Sequence, residues 1–258
     1  MLSRKLALVV EYDGAGFCGF QRQRNAPTIQ GAIEEAIETL TGERTAVTGA
    51  GRTDAGVHAK GQVVSFKTSS ELPLPRLIRA LNHFLAPDIA FRFGYEVDSG
   101  FNARRDALRR EYWYSILNSQ MPSPLHRRQA YLVPQQLDIV AMNAACACLV
   151  GRQDFASFTT TMERNTMREV YCADIVHCGE LIVFRMVANA FLRKQVRCTV
   201  GALIRVGLRK LPVDGFQKML QSPQPGLAWP AAPAHGLCLV QVEYADWKSG
   251  RGLIDEDP

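Results

Sequence analysis

The sequence predicts an α+β fold of two similar halves. Three observations carry that expectation: short runs with apolar residues at period two, amphipathic helices between them, and the same order of elements met twice. In the first half Leu6, Leu8 and Val10 alternate as a strand should, and a glycine-rich loop follows over residues 13–19. Ile29, Ile33, Ile37 and Leu40, with Ala32 and Ala36, then mark an amphipathic helix, with Thr28 as its N-cap after Pro27. A short strand near residues 46–48, the polar loop 49–58, a strand over 62–67, a helix over 75–84 and a strand over 89–97 complete this half. The second half offers a strand over 111–118, a helix over 137–149 and a hairpin of 170–177 with 181–188, turning at Gly179-Glu180. A long helix over 191–206 and a strand over 237–244 close it. Each half reads β-α-β-β-α-β, a split βαβ (RRM- or ferredoxin-like) arrangement. The two sheets are expected to join edge to edge into one mainly antiparallel sheet, with helices on one face and a central cleft. The expected bounds are 1–108, 109–246 and an acidic tail over 247–258, with the proline-containing stretch 121–128 as linker. The loop 222–235, with Pro223, Pro225, Pro230 and Pro233, is expected to be ordered but irregular.

A chain of 258 residues buries enough surface to fold without a disulfide or structural metal. No apolar run approaches the ~18 residues of a membrane span. Residues 1–5 lead straight into a strand without a signal-peptide layout, so a cytoplasmic protein is expected. The seven cysteines contain no C-x-x-C, and no two of the five histidines are spaced i, i+4. Zinc is therefore not expected. Phosphate-loop and G-x-G-x-x-G patterns are missing too, so no nucleotide or other small-molecule cofactor is expected. Net charge is +5, and arginine gathers in clusters: Arg22/Arg24, Arg104/Arg105, Arg109/Arg110, Arg127/Arg128 and Arg193/Lys194/Arg197. The planar donor fork of guanidinium suits a phosphodiester backbone, and an open split-βαβ sheet face often binds RNA. A solvated basic surface would look the same on charge alone.

The most informative stretch is Gly49-Ala50-Gly51-Arg52-Thr53-Asp54-Ala55-Gly56-Val57-His58. Three glycines in eight residues allow positive φ and close backbone approach, and a tight polar loop between strands is where a catalytic group belongs. Arg52 and Asp54 are two apart, so in an extended segment both side chains point the same way. A guanidinium there would keep the carboxylate ionised and aim it. An isolated Arg-x-Asp favours a structural Asx turn with a local salt bridge; the whole decapeptide reverses that preference. His58 reads as a loop-packing residue rather than a general base.

With Gly61-Gln62-Val63-Val64-Ser65-Phe66 after it, this stretch resembles the signature of the TruA family of tRNA pseudouridine synthases, and the resemblance runs from about Leu6 to Tyr244. Glu11-Tyr12-Asp13-Gly14 and Gly19-Phe20-Gln21-Arg22-Gln23 are similar to the family's early loop, with Phe20 replacing the usual tryptophan. Phe101-Asn102-Ala103-Arg104 resembles its F-H-A-R element, with Asn102 replacing histidine. Arg110, Tyr112 and Tyr114 resemble its R-x-Y-x-Y strand. Phe191-Leu192, Val196-Arg197 and Val200-Gly201 resemble its late helix, in which Arg193-Lys194-Gln195 and Cys198 depart from the pattern. Gly236-Leu237 through Val242 and Tyr244 resemble its closing strand.

The resemblance implies a cofactor-free isomerase that turns uridine into pseudouridine at positions 38 to 40 of the tRNA anticodon stem-loop, working as a homodimer. It implies Asp54 as catalytic carboxylate, Arg52 as a residue of the same loop, Tyr112 as the ring packed on the target base, and Arg197 as the arginine paired with the aspartate. Arg22, Arg104, Arg105, Arg110, Arg193 and Lys194 are expected to contact RNA. The chemistry agrees with the residue types. Breaking N1–C1′ puts positive charge on the sugar and negative charge on uracil; a carboxylate answers the first, an arginine the second, and a ring holds the detached base. The target uridine has to be flipped out to reach the carboxylate. Arg197 stands on an otherwise apolar helix and needs a carboxylate or RNA partner. The alternatives are a non-catalytic RNA-binding protein on the same fold, which would have lost the carboxylate, and a hydrolytic nucleosidase, which needs a second carboxylate or a positioned water.

Overall fold

The computed structural model describes residues 3–161 and 163–247. The fold is α+β, with five α-helices and ten strands among the described residues, the strands pairing mainly antiparallel. It divides into two compact units: one takes the described residues up to Leu108 and from Leu239 onward, the other Arg109–Cys238. The chain therefore passes between units at 108/109 and again at 238/239, and the stretch 121–128, expected as the linker, lies inside the second unit. Residues 248–258, which hold Asp255-Glu256-Asp257, lie outside the described residues.

The first unit contains β1 (Arg4–Tyr12), α1 (Ile29–Thr41), β2 (Thr48–Gly49), β3 (His58–Thr68), α2 (Leu74–Phe84) and β4 (Ile89–Val97). This is the β-α-β-β-α-β order. β1 runs antiparallel between β3 and β4, β2 pairs with β3, and β10 (Leu237–Glu243) follows β3 in strand order. Leu6, Ala7, Leu8, Val9 and Val10 are all fully buried, so the alternation at β1 marks no solvent face. A central strand covered on both sides reads this way. One covering piece is visible: the Ala103 amide donates to Ser65 Oγ at 3.3 Å, and Ser65 is the β3 partner of Ala7. Helix α1 is capped as expected, Thr28 Oγ1 accepting from the Gly31 amide at 3.2 Å, and it stops at Gly42 with φ +72°.

The second unit contains β5 (Arg109–Leu117), β6 (Tyr131–Leu132), α3 (Ile139–Ala147), β7 (Gly151–Asp154), β8 (Met167–Cys178), β9 (Leu181–Ala188), α4 (Gln195–Gly207) and α5 (Val213–Gln221). Strand order is β5-β9-β8-β7, with β6 parallel to β5. Helix α3 is shorter than its apolar run, because Asp138 caps it by accepting from the Ala141 amide at 3.1 Å. Helix α4 starts at Gln195 rather than 191 because Lys194 adopts φ +61°, which ends any helical path from Phe191. Helix α5 was not expected, although Phe216, Met219 and Leu220 bury one face of it at helical spacing. Among the described residues no helix is long and apolar enough to cross a membrane.

Candidate active site

The loop between β2 and β3 carries Arg52 and Asp54, and three sets of bonds fix its course. At its entry the Ala50 amide donates to Val63 O at 2.8 Å. The fully buried Gln62 then grips the Gly51 peptide: its Nε2 donates to Gly51 O at 2.7 Å, and its Oε1 lies 3.4 Å from Gly51 N. Gln62 Oε1 also accepts from the Val63 amide, and Nε2 lies 3.5 Å from the Tyr12 hydroxyl. That hydroxyl is 2.8 Å from Thr53 Oγ1, one residue before Asp54. Past the carboxylate, the Val57 amide donates to Asp54 O at 3.2 Å, a tight turn with Gly56 at φ +78°.

The early loop, residues 13–23, supports this one from below. The Phe20 amide donates to Thr53 O at 3.1 Å, and the Gly56 amide reaches Phe17 O. Two glycines make the approach possible: a Cβ at Gly14 would stand 2.0 Å from Val57 O, and one at Gly19 2.8 Å from Thr53 O. The Phe20 ring, buried, occupies the space a Cβ on Gly49 would need. His58 is buried, with Nδ1 3.2 Å from the Gly14 amide and 3.1 Å from Asp13 Oδ1. That nitrogen can accept from the first or donate to the second, and either bond ties the two loops together. This is the packing role expected of it. Asp54 itself is half-buried, whereas Arg52 is exposed, and among the described residues no ion pair joins the two.

Tyr112, Arg110 and Arg197 lie in the second unit. Tyr112, on β5 opposite Met186 of β9, is buried and meets the Phe191 ring edge-on at 5.0 Å between centroids. Arg110 is buried too, its Nη1 donating to Asn189 O at 2.7 Å. Arg197, in the first turn of α4, is anchored by Nε to Ala232 O at 2.8 Å while its own carbonyl accepts the Ala232 amide. That bond uses one of the five guanidinium donors. Two residues along β5 from Tyr112, burial pushes the Tyr114 phenol far above its ordinary range, an effect the charge of Arg197 partly opposes. Tyr114 is thus a neutral donor, bonded to Pro233 O at 2.9 Å.

The expected RNA-contact residues divide by environment. Arg104 and Arg105 are exposed, on a turn whose amides both donate to Asn102 Oδ1 at 3.1 Å. Arg193 is exposed and Lys194 half-buried at the start of α4. Arg22 is exposed but committed: its Nη1 is 2.7 Å from Glu34 Oε2, and that hydrogen bond holds its pKa above the ordinary value. Glu34 is buried and also accepts from Gln30 and from the Val47 amide just ahead of β2. Sequence reasoning missed Gln62, Tyr12 and Glu34. The first two stood in motifs already singled out, and a glutamine within the apolar run of β3 was the available signal. Among the described residues no group of three or more His, Cys, Asp or Glu could hold a metal.

Comparison with known proteins gives consistent matches. A family model described as tRNA pseudouridine synthase matches residues 8–104 and 145–245. Asp54 and Arg197 fall in the matched blocks; Tyr112 and Arg110 lie between them. The tRNA pseudouridine synthase A of Roseiflexus castenholzii is 45% identical over 249 residues, covering 94% of this chain and 92% of its own. That of Geobacter sp. (strain M21) is 40% identical over 246 residues, covering 94% and 100%. That of Roseiflexus sp. (strain RS-1) is 43% identical over 258 residues, covering 98% and 94%.

Proposed function

This chain belongs to the tRNA pseudouridine synthase family, isomerases that act on uridine in tRNA, and we propose that it converts uridine to pseudouridine at positions 38 to 40 of the anticodon stem-loop with Asp54 as catalytic carboxylate. One observation supports the Asp54 assignment above the others. The loop is bonded on both sides of this residue: Gln62 of β3 holds the Gly51 peptide, Tyr12 of β1 meets the Thr53 hydroxyl, Phe20 and Phe17 of the early loop bond the Thr53 carbonyl and the Gly56 amide, and the Val57 amide closes a turn on the carbonyl of Asp54 itself. A loop so restrained holds a carboxylate in one direction before any substrate arrives, which is what a reacting group requires.

In this reading the everted uridine presents its sugar to Asp54. The N1–C1′ bond breaks, uracil turns, C5 joins C1′, the C5 proton leaves to solvent, and N1 takes up a proton in its place. Asp54 either adds to the sugar or removes a sugar proton; both need it ionised. Tyr112 packs on the base while it turns, with Phe191 bracing the ring from its edge. Arg197 pairs with Asp54, and Arg52 serves the same loop from its exposed position. Arg104, Arg105, Arg110, Arg193 and Lys194 meet the RNA backbone, and Arg22 does so while tethered to Glu34. No cofactor takes part. A cytoplasmic homodimer belongs to the same reading, on the resemblance to the family.

The test is tritium release from tRNA labelled at uracil C5, with Asp54→Asn beside the parent. Release by the parent and none by the variant, at similar tRNA affinity, is expected. Undiminished release by Asp54→Asn would remove the assignment.

A further inference from the structure

The loop after α5 carries an exposed indole that nothing above uses. Trp229 is 52% exposed and its neighbour Leu227 41% exposed, yet the backbone beneath them is firmly held. The Gly226 amide donates to Thr159 O and the Ala228 amide to Ser157 O, both at 3.0 Å, and Ala228 is fully buried. The Ala232 amide donates to Arg197 O at 2.9 Å and Arg197 Nε returns a bond to Ala232 O. Pro230 O lies so close to α4 that a Cβ on Gly201 would stand 2.2 Å from it. Scattered exposed apolar side chains are ordinary. A tryptophan fixed on a braced loop with half its surface in water is a different case: its position is set by bonds that gain nothing from the ring itself.

Charge indicates what the ring is for. Lys194 Nζ lies 5.6 Å from the Trp229 ring centroid, within cation–π range, and Lys194 is followed in two positions by Val196 and then by Arg197 on the same turn. Arg193, exposed, precedes it. The neighbouring acid Glu163 accepts the Arg193 amide through Oε1 at 3.2 Å, and its Oε2 is 3.6 Å from Arg168 Nη2, so its charge is answered. An apolar π-face with a lysine ammonium against it and the exposed Arg193 next along the chain fits a nucleobase with its phosphate and fits poorly a hydrophobic protein partner.

We infer that Trp229 is a stacking platform for a base of the bound tRNA, with Lys194 meeting the adjoining phosphate. The inference rests on the tRNA reading but not on Asp54. It is tested by equilibrium binding of a tRNA transcript that the parent protein modifies, measured over a range of salt concentrations. Base–aromatic stacking contributes about 1–3 kcal/mol, so Trp229→Leu weakens binding by about 5- to 150-fold. Trp229→Phe, which keeps a π-face, stays within about threefold of the parent. Stacking releases no counterion, so Trp229→Leu leaves the salt slope unchanged, whereas Lys194→Gln lowers it by about one. Binding by Trp229→Leu within twofold of the parent overturns the inference, and so does an equal loss in the leucine and phenylalanine variants. If the parent modifies no tRNA transcript, the proposed function falls instead, and the inference falls with it.

Discussion

Replacing Gln62 by methionine keeps the volume of a fully buried side chain and deletes only its amide. The Gly51 carbonyl then loses its 2.7 Å donor and the Tyr12 hydroxyl its 3.5 Å neighbour; the 3.4 Å contact to Gly51 N is long enough to count for little. A buried polar group left unpaired costs about 1–3 kcal/mol. Gly51 is itself only half-buried, so water can replace part of what is lost, and the low end, about 1–2 kcal/mol, is the expectation. In a protein of this size that lowers Tm by about 2–8 °C. The catalytic effect is larger than the stability effect. Gly51 is three residues before Asp54, and an ångström of misplacement at a reacting group costs about 100-fold in rate. Single-turnover tritium release at saturating enzyme, well below the variant's Tm, is expected to slow by about 10- to 100-fold. Affinity for tRNA stays near that of the parent, since Gln62 is inaccessible to RNA. A full rate together with the expected fall in Tm would mean that the clamp serves folding and leaves the carboxylate alone.

Two further outcomes follow from the same geometry. Gly14→Ala would place a methyl 2.0 Å from Val57 O, backbone against backbone, so the early loop and the Asp54 loop cannot both keep their paths; loss of more than about 2 kcal/mol of stability or of the folded state in a thermal melt is expected, and a parent-like melt would show that the loops are not closely seated. Arg104→Ala with Arg105→Ala removes two exposed charges from a turn held by Asn102 and should reduce the slope of log affinity for tRNA against log salt by about 1.4 to 1.8, leaving the melt unchanged; an unaltered slope would take this turn out of the RNA footprint.

What could be read in the sequence, and what could not, follows from where each interaction is encoded. The periods of α1, α2, β4 and β9 are local, and those elements lie where their apolar spacing puts them. The start of α4 was misjudged because a non-glycine residue, Lys194, takes a left-handed conformation that only glycine would have advertised. The two- and four-residue strands β6 and β7 are too short to show a period. The polar loop drew attention because its glycines are contiguous with the carboxylate they serve. Its partners did not, because they reach it through strand register.

That register explains why the site depends on residues far from it in the chain. Val10 stands opposite Gln62, and after an irregularity in the ladder Tyr12 stands opposite Ala59. The irregularity matters: because successive side chains alternate between faces, a shift of one residue in the ladder would send Gln62 to the other side of β3 and away from Gly51. The position of Asp54 is therefore tied to the pairing of β1 with β3, and through it to apolar residues, Leu6 to Val10, that are wholly buried. Substitutions in that strand that preserve packing but disturb register should act on turnover before they act on RNA binding.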